Sequence, residues 1–395
     1  MHLESKELVG RSPGPGTIVW CRSCYTRAAG FEKLRCRDIQ TISDFSDGEQ
    51  YQFSDDNGRT WSAPTDRAVG VFAFADPASD LFLAIRSECV LPPDTPREDA
   101  RDFQHKSYLW YRVCDDGGRT AIIDEQIIQR GPNYNAQHPC EGVHVGRNGM
   151  LACMGGEPMR TRAGQILIPI QIIPPLGPDG QPNNPTGGFT YGDGAVLIGT
   201  WTPDHRIEWD LSEMLVHDPN KSTRGTDEMT LAEMPDGRIL AVIRGSNDVR
   251  PELPGYKWYT VSQDGGHSWA PMQPWTFTDG SPFFSPASCS KLLSHSNGHV
   301  YWIGNLCSEN PRGNHPRHPL VIGLVDPESL LLIEDSLFTV AERQANDHPL
   351  IQFSNFFAYE DRETSAIHID LTPIFPVGPN DTQWTGDAYV YRIAV

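Results

Sequence analysis

The sequence predicts an all-β fold, a six-bladed β-propeller. Three observations predict it: one turn written repeatedly along the chain, apolar runs that alternate with a period of two, and no sustained helical periodicity. The 395 residues include 36 Gly and 33 Pro, a supply suited to many turns and few helices. We expect a single domain over residues 1–395, because β-rich folds of this length often form one unit.

The turn comes first. Ser54-Asp-Asp56-Asn-Gly58-Arg-Thr60-Trp61 and Ser262-Gln-Asp264-Gly-Gly266-His-Ser268-Trp269 carry Ser, Asp, Gly, Ser or Thr, and Trp at matching offsets. A worn third copy runs from Cys114 to Ala121, with Asp116 and Gly118 kept. A fainter fourth keeps Thr202, Asp204 and Trp209 but has Arg206 in place of the Gly. The Asp can accept backbone N–H bonds, the Gly permits positive φ, and the Trp tucks back onto the sheet. Such a turn is a structural device.

Strands flank the turns in order: EQYQFS before the first copy, ILIPIQII from 166, AVLIGTW from 195, ILAVIR from 239, KWYTVS before Ser262, HVYWIGN from 299 and AYVYRIAV at the C-terminus. Copies begin at 54, 114, 202 and 262, so a unit of about 60 residues repeats. Short strands at that period suit propeller blades. Six units follow, roughly 1–65, 66–135, 136–215, 216–275, 276–340 and 341–395. PPLGPDGQPNNPTGG, residues 174–188, reads as one long surface loop within the third unit.

The net charge of −19 argues against nucleic acid, which needs a basic face. A small anionic ligand needs only a few local arginines and stays compatible. Cys21 and Cys24 form a lone CxxC without a second pair, so neither zinc nor any other metal or cofactor is expected. Cys153 and Cys289 lie in apolar runs and read as small core residues. No run is long enough for a membrane helix, and the first ten residues lack an apolar signal core. A cytoplasmic location is expected, although a trimmed secretion signal would leave the same start.

The repeated turn resembles the Asp box, or BNR repeat, of the sialidase superfamily of six-bladed propellers. The resemblance implies a site in which three arginines grip a sugar carboxylate, a Glu-activated Tyr attacks, and an Asp handles the leaving-group proton. The segment Glu228-Met-Thr-Leu-Ala-Glu233-Met-Pro-Asp236-Gly237, leading to Arg244, is similar to the family's fourth-blade pattern. It implies Glu228 as the activating carboxylate and Arg244 as a clamp arginine. Ser288-Cys289-Ser290 and Gly298, leading to Arg317-His-Pro-Leu320, resemble the fifth blade and imply Arg317 as a second clamp residue, with Arg312 competing. Asp44, ten residues before Ser54, matches the acid/base Asp, with Asp47 close by. Where the family has R-I-P, this chain has Arg11-Ser-Pro13, with Arg22 as a rival for the third arginine. Where the nucleophilic Tyr is expected, the chain has Phe353, and Tyr359 lies six residues on.

The expected activity is therefore removal of a terminal, carboxylate-bearing sugar from an acidic glycan, with water activated directly and the anomeric centre inverted. Two alternatives stay open. A histidine among His138, His144 and His348, or His105, His315 and His318, could abstract a proton beside a uronic carboxylate, giving a lyase. A glycan-binding propeller without chemistry is the other. Trp258, Trp275, Trp302 and Trp384 could stack on sugar rings or pack between blades. The oligomeric state is open.

Overall fold

The computed structural model describes residues 1–42, 44–98, 100–378 and 383–395. Six antiparallel sheets form the blades of a propeller. Blade 1 holds Ile18–Tyr25, Lys33–Gln40 and Gly48–Ser54. Blade 2 runs Ala73–Ala75, Phe82–Cys89, Ser107–Cys114 and Ile123–Gln126. In blade 3 the inner edge is split between Gly149–Ala152 and Met159–Arg160, both paired to Ile166–Ile173, with Asp193–Trp201 and Ile207–Leu211 outside. Blade 4 comprises Asp227–Glu233, Ile239–Arg244, Lys257–Ser262 and Gln273–Pro274, and blade 5 Lys291–Ser294, Val300–Asn305, Leu320–Leu324 and Phe338–Ala341.

Blade 6 corrects the unit boundaries read from the repeat. Phe357–Glu360, Ile367–Leu371 and Ala388–Ala394 are completed by His2–Gly10, which pairs antiparallel with Ala388–Ala394. The chain's first strand thus belongs to the last blade, and the first unit begins near residue 18. Pairing the two ends covers an edge that would otherwise be open and closes the ring.

The repeated turn sits at one place in the fold. In blades 1 to 4 each copy joins the third strand to the outer edge. In blade 1 the Ser54 hydroxyl donates to Asp56 at 2.8 Å and accepts from the Gly58 N–H at 2.8 Å, while Asp56 accepts from the Thr60 N–H at 2.8 Å. In blade 4 the same three bonds recur through Ser262, Asp264, Gly266 and Ser268 at 2.7, 2.8 and 2.9 Å. Blade 6 has no such turn because its outer strand arrives from the other end of the chain.

A second turn type, not read from the sequence, serves other hairpins. Asp76, Asp326 and Asp361 each accept from the backbone N–H and hydroxyl of a Ser or Thr three residues on. The next residue, Asp80, Leu330 or Ser365, has φ near +60°.

Apolar clusters fill the seams between blades. Ile166–Ile173 is buried along its whole length, with both faces covered by neighbouring blades. Trp258, Trp275 and Trp302 are 4%, 0% and 0% exposed, so these three pack the core and offer no sugar platform. Each fully buried large side chain contributes about 1.5–3 kcal/mol relative to exposure. Trp384 lies opposite Pro376 in a separate two-stranded hairpin.

Candidate active site

The inner strands leave two hollows along the propeller axis. The larger, about 610 Å³, is lined by the late residues of those strands, Ser23–Tyr25 in blade 1 and Tyr359–Glu360 in blade 6. Several of its charged groups are paired, Lys291 with Glu157 and Arg162 with Glu233, while Arg362 donates to the Gly30 carbonyl. The smaller, about 290 Å³, is lined by earlier residues of the inner strands and holds Glu228 and Asp44 together with Trp20, Arg22 and Asp38. Size favours the first hollow, but the expected residues Glu228 and Asp44 line the second.

Glu228 stands at the start of the inner strand of blade 4 and Arg244 at the end of its partner strand, with a register shift beside them. The sixteen-residue separation therefore returns the chain to the same end of the hairpin. Arg244 donates to Glu228 at 2.6 Å, and its Nε lies 3.4 Å from Asp227. Asp227 also pairs with Arg224 at 3.2 Å and accepts from Gln171 of blade 3. Burial opposes ionisation of Asp227, but Arg224, Arg244 and Gln171 outweigh it and lower its pKa. Likewise burial opposes the charge on Arg244, and Asp227 and Glu228 raise its pKa all the same.

Arg317 enters from the loop before Leu320–Leu324. It donates from Nε and Nη2 to the Ala287 carbonyl, at 3.2 and 2.7 Å, and from Nη1 to Gln352 at 3.1 Å. These partners are neutral. Burial, and then the charge of Arg244, push Arg317 down to about 10. Lys257, opposite Arg244 in the register and 0% exposed, donates to the Ser288 carbonyl. Burial and Arg244 push it down to about 7. Arg244, Arg317 and Lys257 are thus buried close to Glu228, behind the residues that line the hollow.

Asp44 reaches the hollow from the loop after Lys33–Gln40, with φ of 67°. It keeps solvent access at the mouth, yet the walls thin its hydration. This burial raises its pKa, Arg317 opposes the rise, and Glu228 adds to it. Three carboxyls therefore share one hollow in different surroundings: Glu228 takes a guanidinium hydrogen bond, Asp38 accepts from Ser46 and Gln40, and burial biases both Asp38 and Asp44 toward the protonated form.

The other expected residues lie elsewhere. Arg11 is exposed beyond the outer strand of blade 6, where its carbonyl accepts from Arg37. Arg22, its rival, lines the hollow and pairs with Glu49 at 2.8 Å. Arg312 is exposed and belongs to a backbone-bonded turn with His315, so of the two loop arginines only Arg317 is buried. His138 stacks on His144 at 4.1 Å and bonds the Val143 carbonyl at 2.6 Å, in the loop entering blade 3. His348 accepts from the Leu350 N–H in the loop before blade 6. Among the described residues no histidine lines the hollow, which leaves elimination without the base expected for it.

Phe353 is 4% exposed in the apolar cluster between blades 5 and 6. It does not face the hollow; Asn355 and Phe357 do, and no tyrosine stands among the described lining residues. The apolar run around Phe353 is core packing between blades 5 and 6. Sequence reasoning also passed over Arg224, Asp227, Gln171 and Trp20. The signal for Arg224 was adjacent: Arg224-Gly225-Thr-Asp227-Glu228 is a dense polar cluster ahead of an apolar strand. Gly225, at φ 67°, lies where a Cβ would meet the Gly192 carbonyl at 2.2 Å, so blade 3 and blade 4 touch backbone to backbone there and fix Arg224.

Solved structures share this architecture. The model superposes on a Dyadobacter fermentans protein of unknown function with TM-score 0.61 at 13% identity, over 100% of this chain and 99% of that one. It matches the NanB sialidase of Streptococcus pneumoniae with TM-score 0.58 at 13% identity, over 98% of this chain and 70% of that one. The chain has the sialidase fold. It also matches the GH93 α-L-arabinofuranosidase of Fusarium graminearum with TM-score 0.50 at 12% identity, over 98% and 96% of the two chains. No protein-family model matches the chain, and no curated protein matches it in sequence. At these identities the likeness concerns the fold, a divergent version of a propeller that also houses glycoside hydrolases.

Proposed function

We propose that the protein is a glycoside hydrolase that removes a terminal acidic sugar from a glycan, with Asp44 as general acid and Glu228 as general base. The observation that carries this reading is the cluster of buried cations around Glu228. Arg317 and Lys257 lie beside Arg244 with only neutral hydrogen-bond partners and share Glu228 as a nearby countercharge, and an anionic sugar would add a second one. Two of the hollow's carboxyls, Glu228 and Asp44, then divide the chemistry. Glu228 takes a proton from water as its oxygen bonds to the anomeric carbon. Asp44 gives its proton to the glycosidic oxygen as that bond breaks. With no tyrosine in the described lining, water is the attacking group and the configuration inverts.

The test is a screen of acidic aryl glycosides and oligosaccharides, with the first-formed anomer read by NMR. Glu228→Gln is expected to lower kcat by about 10²–10⁴-fold on every substrate. Asp44→Asn should fall by a similar factor on oligosaccharides and far less on aryl glycosides whose leaving group needs no proton. Absence of turnover on the whole panel, or wild-type rates in Glu228→Gln, rejects the reading. Binding without turnover would favour a glycan-binding propeller instead.

A further inference from the structure

We propose that a pocket beside the axial hollow, between the short helix Ala100–Gln104 and the loop ending at Tyr191, binds the neutral sugar ring adjoining the one that is cleaved. The proposal rests on the hydrolase reading above. The pocket measures about 280 Å³ and is lined by Arg101, Asp102, Pro182, Asn184, Phe189 and Thr190, among others. That is at the small end of ligand clefts, about 300–1,000 Å³, with room for one ring but not for a chain.

Three observations converge on it. First, the two cavities share a wall. Arg224 pairs through Nη2 with Asp227, beneath Glu228, and through Nε donates to the Thr190 hydroxyl at 2.9 Å in the pocket. Gln104, at the end of the helix, lines the axial hollow, while Arg101 and Asp102 of the same helix line the pocket. A glycan with its terminal ring on Glu228 has this pocket as an immediate neighbour.

Second, the pocket presents an exposed aromatic ring. Phe189 is 46% exposed, an unusual state for a phenylalanine on an otherwise polar loop. The Arg101 and Arg224 guanidiniums lie over the ring, 5.0 and 5.8 Å from its centre, and the rest of its surface is open to a ligand. The loop that carries the ring is also tied down. The Phe189 backbone N–H donates to Asp248 at 3.1 Å, Asn184 donates to the Gly188 carbonyl at 2.9 Å, and the Thr186 hydroxyl donates to the Thr223 carbonyl next to Arg224. A Cβ on Gly188 would meet that Thr223 carbonyl at 2.5 Å, so the loop and the arginine segment lie in direct contact. An aromatic platform fixed in advance costs little entropy when a sugar stacks on it.

Third, the charge differs from that of the axial site. Arg101 and Asp102 contribute opposite signs, His105 adds an imidazole, and the remaining lining is amide, hydroxyl, proline and aromatic. Such a lining suits a neutral ring, with apolar C–H faces and hydroxyl edges.

The experiment compares two substrates of the wild-type protein and of Phe189→Ala: an acidic methyl glycoside, which has no second ring, and an acidic oligosaccharide. Phe189→Ala should lower kcat/KM about tenfold on the oligosaccharide and less than about twofold on the methyl glycoside, the loss expected for one aromatic contact. Phe189→Trp, which keeps a platform, should retain the oligosaccharide rate. Equal losses on both substrates, or no loss on the oligosaccharide, overturn the subsite while leaving the hydrolase reading intact. If the wild type cleaves no acidic glycoside, the hydrolase reading fails, and the pocket is judged by saturation-transfer NMR with lactose. A signal with wild type that is lost in Phe189→Ala supports the pocket; no signal with wild type overturns it.

Discussion

Arg317 and Lys257 place fixed positive charge where burial makes it expensive, and each has only carbonyl or amide oxygen as a partner. Their ionisation is therefore sensitive to what occupies the hollow. Lys257, pushed down to about 7, loses its proton as pH rises through neutrality, and the attraction for an anionic substrate weakens with it. KM for an acidic glycoside should accordingly rise above pH 7 in the wild type. In Lys257→Met it should be higher at pH 6 and lose most of that pH dependence. Asp44 produces a separate limb. It must carry a proton to act, its pKa is raised, and kcat should fall as pH rises through that raised value. Asp44→Asn should abolish the kcat limb and leave the KM limb. Pre-steady-state and steady-state pH profiles on one acidic oligosaccharide, whose leaving group needs the proton, distinguish the two; a wild-type KM flat from pH 6 to 9 would remove Lys257 from the argument. At this scale the sequence was partly legible. Glu228 and Arg244 share a hairpin whose turn, Asp236-Gly237, is visible in the letters, so their proximity could be inferred. Arg224 and Lys257 matter through burial and through contacts with other blades, which no local pattern records.

The repeated turn is a local object, and this is why it could be read so far ahead of the fold. Ser262, Asp264, Gly266 and Ser268 satisfy one another within seven residues, so the letters and the hydrogen bonds coincide. The Asp-x-x-Ser/Thr turns at Asp76, Asp326 and Asp361 are equally local, but two polar residues at that spacing are common in any surface loop and carry little signal. The outer strand of blade 6 was misassigned for the opposite reason: its partner is nearly the full chain length away, and a period of about 60 residues assigns it to the nearest unit. The turn itself should behave as scaffold. Asp264→Ala removes an acceptor for two backbone N–H groups and two hydroxyls, at a cost of about 1 kcal/mol for a solvent-reached site. A lower midpoint in urea with unchanged slope, and unchanged kcat on an acidic glycoside, is the expected outcome. A large fall in kcat at full folding would contradict a purely structural turn.

The ring is not equally held at its six seams. Five are filled by clusters of nine or more buried apolar residues. The seam between blade 6 and blade 1, where the chain's two ends meet, has a cluster of only Val19, Cys21 and Ala388. Polar groups take over there. Lys33 of blade 1 pairs with Asp361 of blade 6 at 3.1 Å, Tyr25 donates to Asp361 at 3.2 Å, and the Ser23 N–H donates to Asp370 at 2.7 Å. Asp370 is 2% exposed, and burial pushes its pKa up to about 7, against the pull of the Ser23 N–H, Lys33 and Arg35. The sign follows from linkage. The folded form holds this proton to a higher pH than the unfolded chain does, so between about 4 and 7 the native state binds more protons. The contribution of Asp370 is full at low pH and lost as pH rises through about 7. The closing seam should therefore loosen with rising pH. Native-state hydrogen exchange, corrected for the intrinsic rate, is expected to give His2–Gly10 and Ile18–Tyr25 less protection at pH 8 than at pH 6, relative to the inner strands of blades 3 and 4. Asp370→Asn keeps an acceptor for Ser23 without a titrating proton, and its protection at the seam should be level between the two conditions. Equal pH dependence in wild type and variant would mean that the seam is held by its strand pairing alone, through the His2–Gly10 ladder, and that the buried carboxyl has no part in closing the ring.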